Sequence, residues 1–342
     1  IWSTSYEGGS LKWSFDHAGQ PNVFFAYFEP FSHDCHLERV LECQTAGARV
    51  RSLGKTLDGR ELDCISVGRG RLQAWVIARQ HPGEPQAEHY AFGLLERLLG
   101  LDSNGRVDGL VARLLVDFTF HVVPNMNPDG STRGHLRTNA CGANLNREWA
   151  TTGEYEAPTL ARSPEVHHAL RAMDATGVDV FADVHGDEAL PFTFVSGAEG
   201  CPVWGARIKA LQGAFVGAYG RANTDMQAEV GYEADAPLGA NLAICSNQIA
   251  TRFDCLAVTL EMPFKDCASN PAPRATSDVG FDGHRCAMLG RAFLDAVAYV
   301  GPQLRGVAEP AFALSSDAHV MPVEEEAKVA AVVARLAAAA AP

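Results

Sequence analysis

Histidine and glutamate stand three residues apart in Arg79-Gln80-His81-Pro82-Gly83-Glu84, where a short apolar run ends and a helical pattern begins. An imidazole nitrogen and a carboxylate oxygen so placed can share one divalent ion. A hydrolytic zinc site uses three protein ligands and keeps a fourth position open, so the pair asks for a third ligand. His185 offers one at the end of Val178-Asp179-Val180-Phe181-Ala182-Asp183-Val184. Glu261 closes another such run, Leu256-Ala257-Val258-Thr259-Leu260. A carboxylate beside a metal-activated water can take its proton and later deliver it to a leaving amine.

The elements that must position these residues follow from periodicity. Leu72–Ala78 is short, apolar and partly β-branched, the pattern of a buried strand. Glu88–Leu99 carries Ala91, Leu94, Leu95 and Leu98 at helical spacing, with Gly100 as the stop. In an open α/β sheet, ligands gather outside the carboxyl ends of strands, so residues about a hundred positions apart can converge. Asp117–Val123 reads as a central strand running into the turn-forming Asn125-Met-Asn-Pro-Asp-Gly130. Further helices are expected at Ser32–Ala46 with Ser32 as cap, at Ser163–Met173 with Pro164 in the first helical position, and at Arg285–Val300. A hairpin is expected through Asp58-Gly59.

His81-Pro-Gly-Glu84, Asn127-Pro-Asp-Gly130, Asn144-Leu-Asn-Arg147-Glu-Trp149, Asp183-Val-His185-Gly and Thr259-Leu-Glu261 occur in the order and rough spacing of the zinc metallocarboxypeptidases. The chain resembles their cytosolic (nonclassical) branch, in a bacterial form, over about Trp13 to Leu304. Each motif alone is weak; five in order are specific. The resemblance implies an α/β fold, a mixed, mostly parallel twisted sheet flanked by helices on both faces. It implies one zinc ion per chain on His81, Glu84 and His185, with Glu261 as general base and acid. Arg137 matches the arginine that steadies the oxyanion, and a fixed guanidinium aimed at developing charge lowers the barrier. Asn146 and Arg147 match the pair that grips the substrate's terminal carboxylate, for which a planar guanidinium fork is suited.

Two positions depart from the digestive relatives. Asn144 stands where those enzymes have an aspartate behind a zinc histidine, so the support is an uncharged amide. Tyr232 is the candidate for their mobile tyrosine, at a longer spacing from Glu261. The branch is associated with acidic C-terminal residues, which need a cation in the side-chain pocket because a buried unpaired carboxylate is costly. Arg252 is the favoured residue, with Arg133, Lys265 and Arg274 also near the motifs.

The chain of 342 residues carries a formal net charge of −13, with 47% hydrophobic and 20% charged residues. That balance fits a globular protein and argues against nucleic acid and anionic membrane surfaces as partners. No apolar run is long enough to span a bilayer. Nine scattered cysteines without a Cys-x-x-Cys point to reduced thiols and a cytoplasmic setting. Cys35-His36 near His33 has no second cluster to make another metal site. The expected domains are the last strands of an N-terminal β-sandwich in 1–30, the catalytic domain in 31–304, and an extension with an Ala-rich helix in 305–342. Within the first, Leu11–Phe15 and Asn22–Phe28 are expected as strands about Gly19-Gln20-Pro21. The expected partners are peptide or protein C-termini. Competing readings are a zinc amidase of cell-wall peptides, an acyl-amino-acid deacylase, and a catalytically silent peptide-binding scaffold.

Overall fold

The computed structural model describes residues 3–7, 10–16, 18–101, 105–151, 156–264, 267–268 and 280–305. Strands β1 (Ser3–Glu7) and β2 (Ser10–Ser14) pair antiparallel as a separate ribbon. The main body opens with α1 (His33–Thr45), β3 (Arg49–Lys55), β4 (Glu61–Gly68) and β5 (Leu72–Ala78). Helices α2 (Gln86–Leu99) and α3 (Gly109–Asp117) lead to β6 (Phe118–Val123), followed by the short α4 (Pro128–Arg133) and α5 (Pro164–Thr176). Then come β7 (Val180–Asp187), β8 (Phe194–Ser196), α6 (Ala206–Ala222), α7 (Cys245–Phe253), β9 (Leu256–Pro263) and α8 (Gly283–Val300).

The seven-stranded sheet has the order β3-β4-β6-β5-β7-β9-β8. Its parallel part is the central four strands, β6-β5-β7-β9; the outer pairings are antiparallel. After β5 the chain builds β6 on one side and then returns to place β7 on the other. Such a reversal of strand order leaves a crevice at the carboxyl ends, the usual seat of ligands in this architecture.

Both faces of the central strands are covered, which explains their unbroken apolar runs. Ala74, Val76 and Ala78 of β5 join the core beneath α2, α6 and α8, while Trp75 and Ile77 join the opposite core with α5 and α7. Trp75 and Ile77 are wholly buried, and full burial of a large apolar side chain contributes roughly 1.5–3 kcal/mol. α2 and α8 pack backbone to backbone. A Cβ at Gly93 would lie 2.2 Å from Ala287 O, and one at Gly290 would lie 2.1 Å from Tyr90 O.

The helix boundaries obey local chemistry. Ser32 caps α1 by accepting from Cys35 N, Asp282 caps α8 by accepting from Arg285 N, and Gly100 ends α2 in the left-handed conformation. One expectation fails. Asn22–Phe28 forms no strand, and β2 pairs instead with β1. The aromatic run is spent on docking: Phe28 and Phe31 are buried beside His89, Tyr27 meets Phe264, and Phe24 remains 91% exposed. The expected C-terminal helix lies outside the described residues. Among the described residues no helix is long and apolar enough to cross a membrane.

Candidate metal centre and substrate cleft

The ligand loop leaves β5 through Arg79, which takes a left-handed φ of 57°. This sharp turn carries His81 over the carboxyl ends of the strands and sets Glu84 just before α2. Three contacts fix the loop. Asn127 Nδ2 donates to Gln80 O at 3.0 Å, Gly83 N donates to Leu136 O at 2.8 Å, and Arg79 Nε donates to Pro82 O at 3.0 Å. The Asn127-Pro-Asp-Gly130 motif thus works as scaffold, with Asn127 also capping α4.

His185 comes from β7 and Glu261 from β9, and the two are direct partners in the parallel register. Alternation puts both on the face away from α2, together with Asp183 and Thr259. The ligand atoms of His81, Glu84 and His185 all lie within 4.8 Å of one another, and the three residues are buried. Glu84 Oε1 is 2.7 Å from His81 Nδ1, Glu84 Oε2 is 2.9 Å from His185 Nδ1, and the two Nδ1 atoms are 3.2 Å apart.

What stands behind each ring decides what its inner nitrogen offers. His185 Nε2 lies 2.9 Å from Asp183 Oδ2, and His81 Nε2 lies 3.1 Å from Asn144 Oδ1. With a proton committed to each outer nitrogen, both Nδ1 lone pairs point at each other and at a carboxylate. Such a cluster of acceptors is stable only around a shared positive charge. The titration directions agree. Burial opposes protonation of His185, yet Asp183 and Glu84 raise its pKa well above the usual value; burial would raise Glu84, yet His185 and His81 hold it low. Two imidazoles and a carboxylate form a donor set that fits zinc.

Gln80 is a supporting residue that the sequence reading missed. Its Nε2 donates to Asp183 Oδ2 at 2.6 Å and its Oε1 accepts from Trp149 Nε1 at 2.7 Å. Glu88 was missed too. It is wholly buried and joins His36 Nδ1 at 2.5 Å to Arg79 Nη1 at 2.6 Å. His36 also meets Asp63 at 3.2 Å, so an ion network underlies the ligand loop. The signal available in sequence was an acidic residue on the apolar side of α2, next to an arginine that no surface pattern explained.

Glu261 borders the centre and is 7% exposed. Its Oε1 accepts from Tyr232 at 3.2 Å, while the buried Oε2 has no hydrogen-bond partner among the described residues. Burial pushes its pKa up to about 8, with His185 opposing and Glu84 adding to the rise. A divalent cation on the neighbouring ligands would pull it back down. Tyr232 also donates to Asp187 Oδ2 at 2.6 Å.

A cleft of about 380 Å³ opens over this centre. Arg137, Arg147 and Asn146 line it, as do Thr259 and Glu261 of β9. Arg137 Nη1 stands 4.0 Å from Glu84 Oε1. Asn146, in a single 3₁₀ turn over Leu145–Arg147, is pinned by accepting from Cys245 N at 2.9 Å. Arg147 forms no ion pair among the described residues, and burial followed by the nearby Arg137 lowers its pKa. Two guanidinium groups that repel each other make a seat for an anion. Arg252 is elsewhere: it grips Asp174 through Nε and Nη2 and Thr151 through Nη1, and it does not line the cleft. The acidic network around Asp58 likewise holds Arg133, and Lys265 and Arg274 lie outside the described residues.

A sheet of this order with a His/Glu/His cluster at its carboxyl edge defines a metallohydrolase. Residues 38–266 match the zinc carboxypeptidase model, and the chain belongs to that family; by family it is a metallocarboxypeptidase. It is 44% identical over 304 residues to an uncharacterized Zymomonas mobilis protein, covering 88% of this chain and 75% of that one. It is 34% identical over 195 residues to human cytosolic carboxypeptidase 4, covering 51% of this chain but only 17% of the human protein. A Pseudomonas aeruginosa metallo-carboxypeptidase, solved with (2-guanidinoethylmercapto)succinic acid, superposes with a TM-score of 0.79 at 38% identity, covering 89% of this chain and 78% of that one. A Burkholderia cenocepacia metallo-carboxypeptidase gives 0.77 at 41% identity, with 87% and 76% covered.

Proposed function

We propose that this protein hydrolyses the last peptide bond of peptides or proteins, with residues 31–304 as the catalytic unit. His81, Glu84 and His185 would hold the zinc. When bound there, zinc supplies Lewis acidity toward the scissile carbonyl and makes water a better acid at neutral pH.

The chain's own residues do the rest. Glu261 takes the proton of the attacking water and hands it to the departing amine, the work of a buried carboxylate with one free oxygen. Tyr232, hydrogen-bonded to Glu261 and Asp187, orients that carboxylate. Arg137 faces the charge that develops on the carbonyl oxygen. Asn146 and Arg147 bind the terminal carboxylate, which restricts attack to chain ends. The observation that carries this reading is the convergence of two anchored Nδ1 atoms and a carboxylate beside Glu261, in a cleft also lined by Arg147, which makes no ion pair among the described residues.

An acidic preference would need a third cation beyond those two arginines, and Arg252 does not supply it. The test is mass-spectrometric analysis of N-blocked peptides incubated with zinc-loaded protein. Stepwise loss from the C-terminus is expected. Cleavage confined to internal bonds, or to N-acyl amino acids, would remove the assignment in favour of an amidase or deacylase.

A further inference from the structure

We infer that Asn139 is a positioning residue for hydrolysis, holding the segment that carries Arg137, Asn144, Asn146 and Arg147 against the start of α5. The inference rests on the carboxypeptidase reading above. Asn139 does not line the cleft, so it acts through these neighbours.

The segment has little apolar surface to fix its course. Of the described residues 131–142, Asn139 alone is buried, while Leu136, Arg137 and Cys141 are exposed. Packing cannot set the path of the chain here, so hydrogen bonds must. Just before Arg137, Leu136 O accepts from Gly83 N of the ligand loop. Beyond Arg137 the anchor is Asn139.

Every hydrogen-bonding position of the Asn139 amide is engaged. Its Oδ1 accepts from Cys141 N at 3.2 Å and Ala143 N at 2.9 Å, and Asn139 N donates to Ala143 O at 2.9 Å. These bonds fix the shape of the loop. Its Nδ2 donates to Arg162 O at 2.8 Å and to Glu165 Oε2 at 3.3 Å. Those two fix its place.

The support behind it is firm. α5 buries Val166, Ala169, Leu170 and Met173 in the core that also holds Trp75 and Ile77. Glu165 is wholly buried, and its Oε1 has no hydrogen-bond partner among the described residues, which costs the fold stability. An acid kept on those terms, with its other oxygen on Asn139, points to placement of the loop. The far end of the segment meets the same corner. Arg162 Nε donates to Glu148 Oε1 at 3.1 Å and Oε2 at 3.0 Å, directly after Arg147. The stretch from Arg137 to Arg147 is thus tied at both ends to residues 162–165. Small misplacements of groups that orient a substrate lose rate steeply, even when the change lies away from the chemistry.

The test uses an N-blocked peptide that the unaltered, zinc-loaded protein trims, with kcat, KM and melting temperature measured for each variant. Asn139→Ala is expected to lower kcat/KM by about 10- to 100-fold, with KM raised at least about fivefold. Leu170→Ala, on the buried face of α5, is the control for lost packing: its melting temperature should fall while KM stays at the unaltered value. Glu165→Met separates placement from stability. It removes the unpartnered buried oxygen, so the melting temperature should hold or rise, yet the loss of a partner for Asn139 should raise KM about threefold. An unaltered KM in folded Asn139→Ala or, should that variant not fold, in Glu165→Met, would overturn the inference and leave the carboxypeptidase standing. If the unaltered protein trims no peptide, the carboxypeptidase reading itself falls.

Discussion

His185 Nδ1 lies 2.9 Å from Glu84 Oε2, although 101 positions separate the two residues. The contact exists because β7 lies beside β5, so that the loops leaving their carboxyl ends share one crevice. Everything else at the centre is arranged around this pair. Asp183 stands behind one member, and His81 sits beside the other.

If the pair and His81 hold zinc, stripping the protein with a chelator should lower its melting temperature and zinc should restore it. At a hundred times the dissociation constant, zinc adds about 2.7 kcal/mol of stability. His185→Ala should abolish the zinc-dependent shift. A full shift in that variant would place the metal elsewhere.

Glu261→Gln removes the proton acceptor while preserving size and most polarity. A fall in kcat of roughly 10²- to 10⁴-fold is expected, with zinc content unchanged by elemental analysis. Retained turnover would mean that another group handles the proton.

Glu88→Gln should weaken both the fold and the metal site, because Arg79 and His36 would lose their buried counter-charge. Breaking a buried pair on one side costs about 3–5 kcal/mol. Since Arg79 Nε holds Pro82 O, zinc affinity should also fall by about tenfold or more, as for other residues that orient ligands. Urea unfolding and chelator competition measure the two effects separately. Lost stability with unchanged zinc affinity would show that the network supports only the core.

His36 gives the fold a pH dependence. Burial lowers its pKa, but hydrogen bonds to Asp63 and Glu88 outweigh burial and raise it to about 9. A histidine raised in the folded state contributes its stability fully below the unfolded value near 6.5 and loses it as pH climbs through about 9. The contribution is on the order of 3 kcal/mol. His36→Gln should therefore flatten the stability profile between pH 6.5 and 9, as read by urea midpoints. An unaltered slope there would assign the dependence to other groups.

Arg252→Ala should leave the relative release of C-terminal glutamate and leucine unchanged, because its guanidinium is engaged with Asp174. The pair is partly exposed, so the variant should lose no more than about 1 kcal/mol of stability. A selective loss on glutamate peptides would bring Arg252 back to the cleft.

The sequence by itself determined where chemistry could sit. Apolar runs ending in His81, His185 and Glu261 had to be strands, because period and length fix that locally, and ligands at strand ends then converge by topology. It also marked Ser32 and Gly100 as a cap and a stop, since capping depends on near neighbours. Tertiary structure alone decided what faces what. Arg252 lies on the helix that leads into β9, yet its side chain reaches Asp174 from another helix. Gln80 and Glu88 acquire their roles only from Trp149, Asp183 and His36, all distant in the chain. Asn22–Phe28 had a strand's composition but pairs with no strand among the described residues; Phe28 is buried and Tyr27 meets Phe264, while Phe24 and Phe25 stay exposed. Periodicity reports which side of an element is buried; it cannot report which side chains from elsewhere arrive to meet it, and charge pairing is decided by those arrivals.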